Sequence, residues 1–283
     1  MSIVDGVRYA VDGPVATCTF DKPDRSNAMD VPMQARYGAL LREADADPAV
    51  RAVVVTGSGK AFCPGADLGL LASAAARSAS VEGGGGGIGG DLAAAPPAQG
   101  GGHENFRDVL AAASVGVPVV AAINGGCAGL GFVIACAADV RFAAAGAKFT
   151  TAFARRGLIA EYGIAKLLPE LVGPGRARDL LLSGRTFTAE QALEYGLVQE
   201  VVPAGELELR AHAYATELAT FSAPRSMAVM KEQFAREALL PLDEAAREAT
   251  ALMIESFGRP ELAEGLASWN ERREPKFPPH PAP

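Results

Sequence analysis

No side chain between residues 109 and 138 carries a charge. A run of that length must be hidden from water, either in a bilayer or inside a protein. Pro118, Asn124 and five glycines interrupt it. Such punctuation divides the run into a strand, VPVVAAI (117 to 123), a glycine turn, and a buried helix that ends at Asp139. The helix has no ionisable group until that last residue, so any proton transfer near the turn must use a side chain from elsewhere.

Other short β-branched runs support the same reading: VATCTF (15 to 20), AVVVTG (52 to 57) and VRFAA (140 to 144). Between the first two, Asp30 can cap a helix that starts near Val31 with Pro32 in its first turn and continues through QARYGALLREADA. Strands separated by helices predict an α/β fold with long crossovers, and no hairpin signature stands out. The second half changes character. Thr188 and Gln191 form a capping-box pattern ahead of a helix that stops at Gly196. Three stretches with helical apolar spacing follow: ELELRAHAYATELATF, RSMAVMKEQFAREAL and LDEAAREATALMIESF. Met227, Met230, Met253 and Ile254 in these stretches read as core or subunit-contact residues.

These boundaries give an α/β core over residues 1 to 203, a carboxyl-terminal helical region over 204 to 270, and a tail over 271 to 283 expected to fray. Within the core, ten of the twenty residues from 83 to 102 are glycine. With no GK[ST] and no strand directly before it, this segment reads as a flexible insertion and not as a phosphate loop.

Composition excludes several function classes. The chain of 283 residues has a net charge of -7 and no basic cluster, which argues against a nucleic-acid surface. Four scattered cysteines form neither a disulfide framework nor a CxxC pair. Asp5 and Arg8 fall where a signal peptide would need apolar residues, so a cytoplasmic location without membrane attachment is expected. His103, His212 and His280 are far apart in the chain, and neither an HExxH nor a Walker motif is present, so no metal is expected.

Two segments share one design. FCPGAD (62 to 67) and the glycine turn of INGGCAGLGFVIACAAD (123 to 139) each lie between a strand and a helix start. Helix N-termini offer unpaired backbone N–H groups to a developing negative charge. Pro64 has no N–H, which leaves Gly65 or Ala66 as the donor in the first turn. In the second, Gly129 and Gly131 permit close approach while Leu130 keeps its N–H. Two converging donors would make an oxyanion hole. The competing reading is that the glycines only allow tight packing.

These motifs resemble those of the crotonase superfamily, the enoyl-CoA hydratases and isomerases. FCPGADL resembles its F-x-A-G-x-D-L element, and INGGCAGLGFVIACAADVRFAA its N-G-x-x-x-G-x-G helix followed by C-D-x-R-x-A. KPDRSNAM (22 to 29) is similar to R-P-x-x-x-N-A-L, and LLLSGRTFTAEQALEYGLVQEVVP (180 to 203) to the downstream family segment. The likeness spans about residues 8 to 272. It implies a crotonase-like spiral of ββα units with a carboxyl-terminal helical region, a homotrimer or dimer of trimers, and an acyl-CoA ligand. CoA is then part of the substrate, and no other cofactor is implied. Carried over by position, the two donors are Ala66 and Leu130. Arg25, Ser26, Ala28, Pro64, Gly65, Asp67, Leu68 and Gly129 fall at substrate-binding positions, with Arg25 close to a phosphate.

The chain departs from the family where hydratases carry two glutamates. Those positions hold Val133 and Phe153, neither of which moves a proton. Glu161 is the substitute: Ile159, Ala160, Tyr162 and Ile164 give it an apolar setting that would raise its pKa toward the working pH. Alternatively, Glu161 is a surface carboxylate paired with Arg155, Arg156 or Lys166. One carboxylate suits double-bond isomerisation, and Tyr162 or a bound water could supply the second group that hydration needs. Lys231 could reach an acyl-CoA phosphate or lie on a solvated helix face. The rival functions are a non-catalytic acyl-CoA-binding protein, and a hydrolase or decarboxylase on the same scaffold.

Overall fold

A computed structural model of the protein describes residues 3–67, 69 and 106–279. Leu68 and the glycine-rich segment at 83 to 102 lie outside the described residues. The chain opens with β1 (Ile3–Val4), β2 (Val7–Asp12) and β3 (Val15–Phe20), an antiparallel meander. Its β2–β3 hairpin corrects the expectation that none is present. Asp12 pairs with Val15 across Gly13-Pro14, and Gly13 takes a φ of +55°, which a β-carbon would disfavour.

Helix α1 (Val31–Ala46) starts where expected, and the Asp30 carboxylate accepts the Met33 N–H at 3.0 Å. Then come β4 (Ala52–Gly57) and β5 (Ala61–Cys63), followed beyond the undescribed segment by the short helices α2 (Phe106–Val109) and α3 (Ala111–Ser114). The central part comprises β6 (Val119–Ile123), β7 (Gly126–Ala128), α4 (Leu130–Ala137), β8 (Val140–Ala144) and β9 (Lys148–Thr150). Helices α5 (Ile164–Val172) and α6 (Pro174–Ser183) lead to β10 (Phe187–Thr188), α7 (Ala189–Glu194) and β11 (Glu200–Val202). Thr188 and Gln191 complete the predicted capping box on α7.

The larger sheet has the order β1-β2-β3-β4-β6-β8-β11 and is parallel from β3 onward; the smaller has the order β10-β9-β7-β5. In each pair β4/β5, β6/β7 and β8/β9, the first strand joins the larger sheet and the second joins the smaller. This repeated crossing is the ββα spiral that the resemblance implies. The charge-free stretch sits at its centre: every residue of β6 and α4 is buried. Burying Phe132, Val133 and Ile134 contributes about 1.5–3 kcal/mol each, which accounts for a helix with no polar face. None of the described helices is long and apolar enough to cross a membrane.

On the other face of the larger sheet lies α8 (Leu207–Phe221). Its Ala211, Ala215 and Ala219 recur every fourth residue against Val54, Val120 and Phe142. Small side chains on one stripe let the helix lie close to the strands. Helices α9 (Pro224–Glu237) and α10 (Leu242–Phe257) match the predicted stretches, whereas α11 (Pro260–Glu271) was hidden in what read as the end of the helical region and the tail. The described residues after it, 272 to 279, make contacts with the body of the protein. Arg273 pairs with Glu264 and Glu271, and the Arg51 guanidinium donates to the Phe277 carbonyl at 2.8 Å and to that of Ala219 at 3.4 Å. Lys231 corrects both of its readings. Its ammonium donates to the carbonyls of Ala112 and Val117 and to the Asp139 carboxylate at 2.6 Å, so it pins α9 to the core and is neither a phosphate ligand nor solvated. Met230, Met253 and Ile254 are exposed and therefore not part of this chain's core.

Candidate active site

The first turn is held by a single β-bridge between Met29 and Ala66. The Met29 N–H donates to the Gly65 carbonyl, and the Asp67 N–H to the Met29 carbonyl, both at 2.9 Å. These bonds straddle Ala66 and leave its own N–H out of the bridge. What places Met29 is Asn27, fully buried and left-handed at φ +65°. Its amide donates to the carbonyls of Ser58 (2.9 Å) and Ala61 (2.7 Å), and its oxygen accepts the Lys22 N–H (2.9 Å). Asn27→Ala should therefore cost about 3 kcal/mol, since these three hydrogen bonds and a longer one from the Ser58 hydroxyl vanish. Denaturant unfolding checks this; a loss under about 1 kcal/mol would mean the segment relaxes freely.

In the second turn Gly129 adopts φ +50°, ψ −119°, a conformation that residues with a β-carbon avoid. It introduces α4, whose first residue, Leu130, has no acceptor one turn back for its N–H. The two turns touch. A β-carbon on Gly65 would lie 3.7 Å from the Leu130 nitrogen, and one on Gly129 would lie 3.8 Å from the Gly65 α-carbon. Gly131 serves the other purpose weighed above: a β-carbon there would collide with the Cys63 carbonyl, so this glycine is a packing requirement. Among the described residues, neither the Ala66 nor the Leu130 N–H has a hydrogen-bond acceptor.

Ala66 and Leu130 both line one narrow cleft of about 20 Å³, roughly the space of a single water, together with Gly65, Gly129, Phe153, Arg156, Glu161 and Tyr162. Glu161 is half-buried, and burial pushes its carboxyl above the ordinary glutamate range. The surface-pair alternative fails: Lys166 pairs with Glu170 at 2.7 Å, and Arg155 donates to the Ser183 carbonyl at 2.8 Å. Among the described residues, Arg156 makes no ion pair with Glu161 although it shares the cleft. Of the positions that carry glutamate in the family, Val133 is sealed in the core, and Phe153 forms part of the cleft wall.

The remaining predicted site residues lie outside the cleft lining. Arg25 is largely exposed and donates to the Asp67 carboxylate at 3.2 Å; Ser26 and Ala28 precede the bridging Met29, and Pro64 precedes Gly65. Leu68 lies outside the described residues. Sequence reasoning missed Ala152, Arg156 and Leu158 as lining residues. Ala152 is left-handed at φ +60°, for which an alanine gives no signal, whereas the consecutive Arg155 and Arg156 beside Gly157 could have drawn attention to the loop.

Fold and site together define an α/β protein of crotonase type in which Ala66, Leu130 and the half-buried Glu161 line the same cleft. The chain belongs to the enoyl-CoA hydratase/isomerase family, which it matches over residues 11–84 and 85–279. It is 38% identical over 197 residues to a probable enoyl-CoA hydratase of Mycobacterium tuberculosis, covering 70% of each chain. Identity to the 1,2-epoxyphenylacetyl-CoA isomerase of Escherichia coli is 32% over 212 residues, 74% of each chain. The crystal structure of an enoyl-CoA hydratase from Bacillus anthracis superposes with a TM-score of 0.81 at 26% identity, covering 96% of this chain and 99% of that one.

Proposed function

We propose that the protein acts on acyl-CoA thioesters through an enolate, with double-bond isomerisation or hydration as the reaction. The observation that carries this reading is the convergence of the unpartnered Ala66 and Leu130 amides with Glu161 on one cleft. A thioester oxygen bound to both amides would be stabilised as it gains negative charge, the largest single effect in many such sites. In isomerisation, the Glu161 carboxylate takes a proton from the carbon beside the thioester. The released electron pair moves onto the thioester oxygen. Glu161 then returns the proton two carbons further along as the double bond shifts into conjugation. Atoms and charge balance without a cofactor, CoA being part of the substrate.

The relatives are named as a probable enoyl-CoA hydratase and a 1,2-epoxyphenylacetyl-CoA isomerase, both for CoA thioesters, which supports the substrate class. The CoA portion would approach along the Met29–Ala66 bridge, where Arg25 stands exposed. We also read the carboxyl-terminal helices as a subunit contact in a homotrimer or dimer of trimers, because Phe234, Leu242 and Trp269 are each at least 80% exposed. A mass measurement in solution tests that assembly.

The function is tested by mixing the protein with 2-enoyl-CoA and 3-enoyl-CoA and following the absorbance of the conjugated thioester. A change in either direction supports the reading. Binding across chain lengths with no spectral change would replace it with a non-catalytic acyl-CoA-binding protein, and release of free CoA or CO₂ with a hydrolase or decarboxylase.

A further inference from the structure

The turn that follows Glu161 is built around an unsuitable residue. The Ile164 N–H donates to the Glu161 carbonyl at 3.0 Å, and both residues between them are left-handed, Tyr162 at φ +50° and Gly163 at φ +72°. Turns of this hand take asparagine, aspartate or glycine at both positions, because a β-carbon there is crowded. An aromatic residue in the first position is a backbone outlier, of the kind that persists where a side chain is needed in place.

The Tyr162 side chain is half-buried against the core and lines the cleft beside Glu161. Its hydroxyl has no partner among the described residues, and it is not sealed off as the Tyr37 hydroxyl is. Among the described residues, the cleft's other polar side chains are Glu161 and Arg156, and a guanidinium can donate but not accept. A water that gives one proton to Glu161 needs another group to accept its second hydrogen. Among the described lining residues, Tyr162 is the side chain that can do so while remaining neutral, since burial and the Glu161 charge hold its phenol above the usual tyrosine range.

We propose that Tyr162 is a catalytic residue that holds the water added to 2-enoyl-CoA, so that the site hydrates with one carboxylate and one phenol. This rests on the enolate reading above. The water oxygen bonds to the carbon two removed from the thioester carbonyl, and its proton passes to Glu161. The double-bond electron pair moves to the thioester oxygen between Ala66 and Leu130. Glu161 then delivers its proton to the carbon beside the thioester, which restores the carboxylate and the carbonyl. The phenol keeps its own proton throughout and accepts a hydrogen bond from the water.

The test compares wild type, Tyr162→Phe and Glu161→Gln on 2-enoyl-CoA for hydration and on 3-enoyl-CoA for isomerisation. Phenylalanine keeps the packing and backbone and removes only the oxygen. Its hydration kcat is expected to fall about 10- to 100-fold, with KM and isomerisation changed by no more than about twofold. Glu161→Gln should lose both reactions. If Tyr162→Phe folds poorly, Tyr162→Gly suits the turn and should show the same selective loss. Hydration at the wild-type rate in either variant, or an equal loss in both reactions, would overturn the assignment. So would a wild type that isomerises but does not hydrate, an outcome that leaves the enolate reading intact. A wild type that binds both thioesters and converts neither would overturn both.

Discussion

Glu161→Gln is expected to lower kcat by about 10²- to 10⁴-fold while leaving the Kd for acyl-CoA unchanged, the usual contribution of a positioned acid–base group. Glutamine preserves shape and hydrogen bonding but cannot take a proton. The structure makes the effect specific, because no ion pair depends on this carboxylate among the described residues. Single-turnover kinetics with the binding constant measured in parallel separate the two effects; an active variant would remove Glu161 from the chemistry. The wild-type rate should rise with pH through a pKa above the ordinary glutamate value, since burial raises it and the base must be ionised to act. The same shift has a sign for stability. The folded chain holds this proton more tightly than the unfolded chain, so Glu161 costs stability as pH rises from the ordinary value through the raised one. Glutamine should remove that loss, giving a variant at least as stable as wild type at neutral pH.

Leu130→Pro should cost about 10²- to 10³-fold in kcat, the usual effect of deleting one donor to an oxyanion. Proline is well tolerated at the first position of a helix, where the missing N–H has no intrahelical partner. The substitution therefore removes the proposed catalytic donor without breaking an intrahelical hydrogen bond, although the buried leucine side chain is lost with it. Leu130→Ala is the control: it loses a buried side chain, at a cost of about 2–5 kcal/mol, but keeps the N–H. Folded Leu130→Ala should turn over near the wild-type rate. Equal rate losses in the two variants would show that packing, not the amide, matters at this position.

Much of this was legible in the sequence because local chemistry determined it. Asp30 capping α1, the Thr188 and Gln191 box, and the apolar strand-turn-helix over 117 to 139 each depend on neighbours a few residues away. Pro64, which lacks an N–H, narrowed the first candidate donor to Gly65 or Ala66, and the family resemblance implied Ala66 and Leu130. What escaped was non-local. The role of Lys231 depends on Asp139, which is distant in sequence, and α11 was not separated from the end of the helical region and the tail, its Leu266 and Trp269 being exposed. The β2–β3 hairpin was missed for a different reason. Its signal is one Asp-Gly step followed by a proline that masks the pattern. The lining role of Ala152 follows from a backbone conformation that an alanine cannot announce.

The contact of Gly131 with the Cys63 carbonyl, and of Gly65 with Gly129, joins the two amide-bearing turns into one rigid hinge of main chain. Side chains at these points would push the halves apart, so the spacing of the donors has little room to drift. The rest of the cleft lining, Ala152, Phe153, Arg156, Leu158, Glu161 and Tyr162, comes from a separate stretch of the chain. Substitutions at Ala152, Phe153, Arg156 or Leu158 would thus reshape the cleft while leaving the two turns, and the grip on a carbonyl proposed for them, as they are.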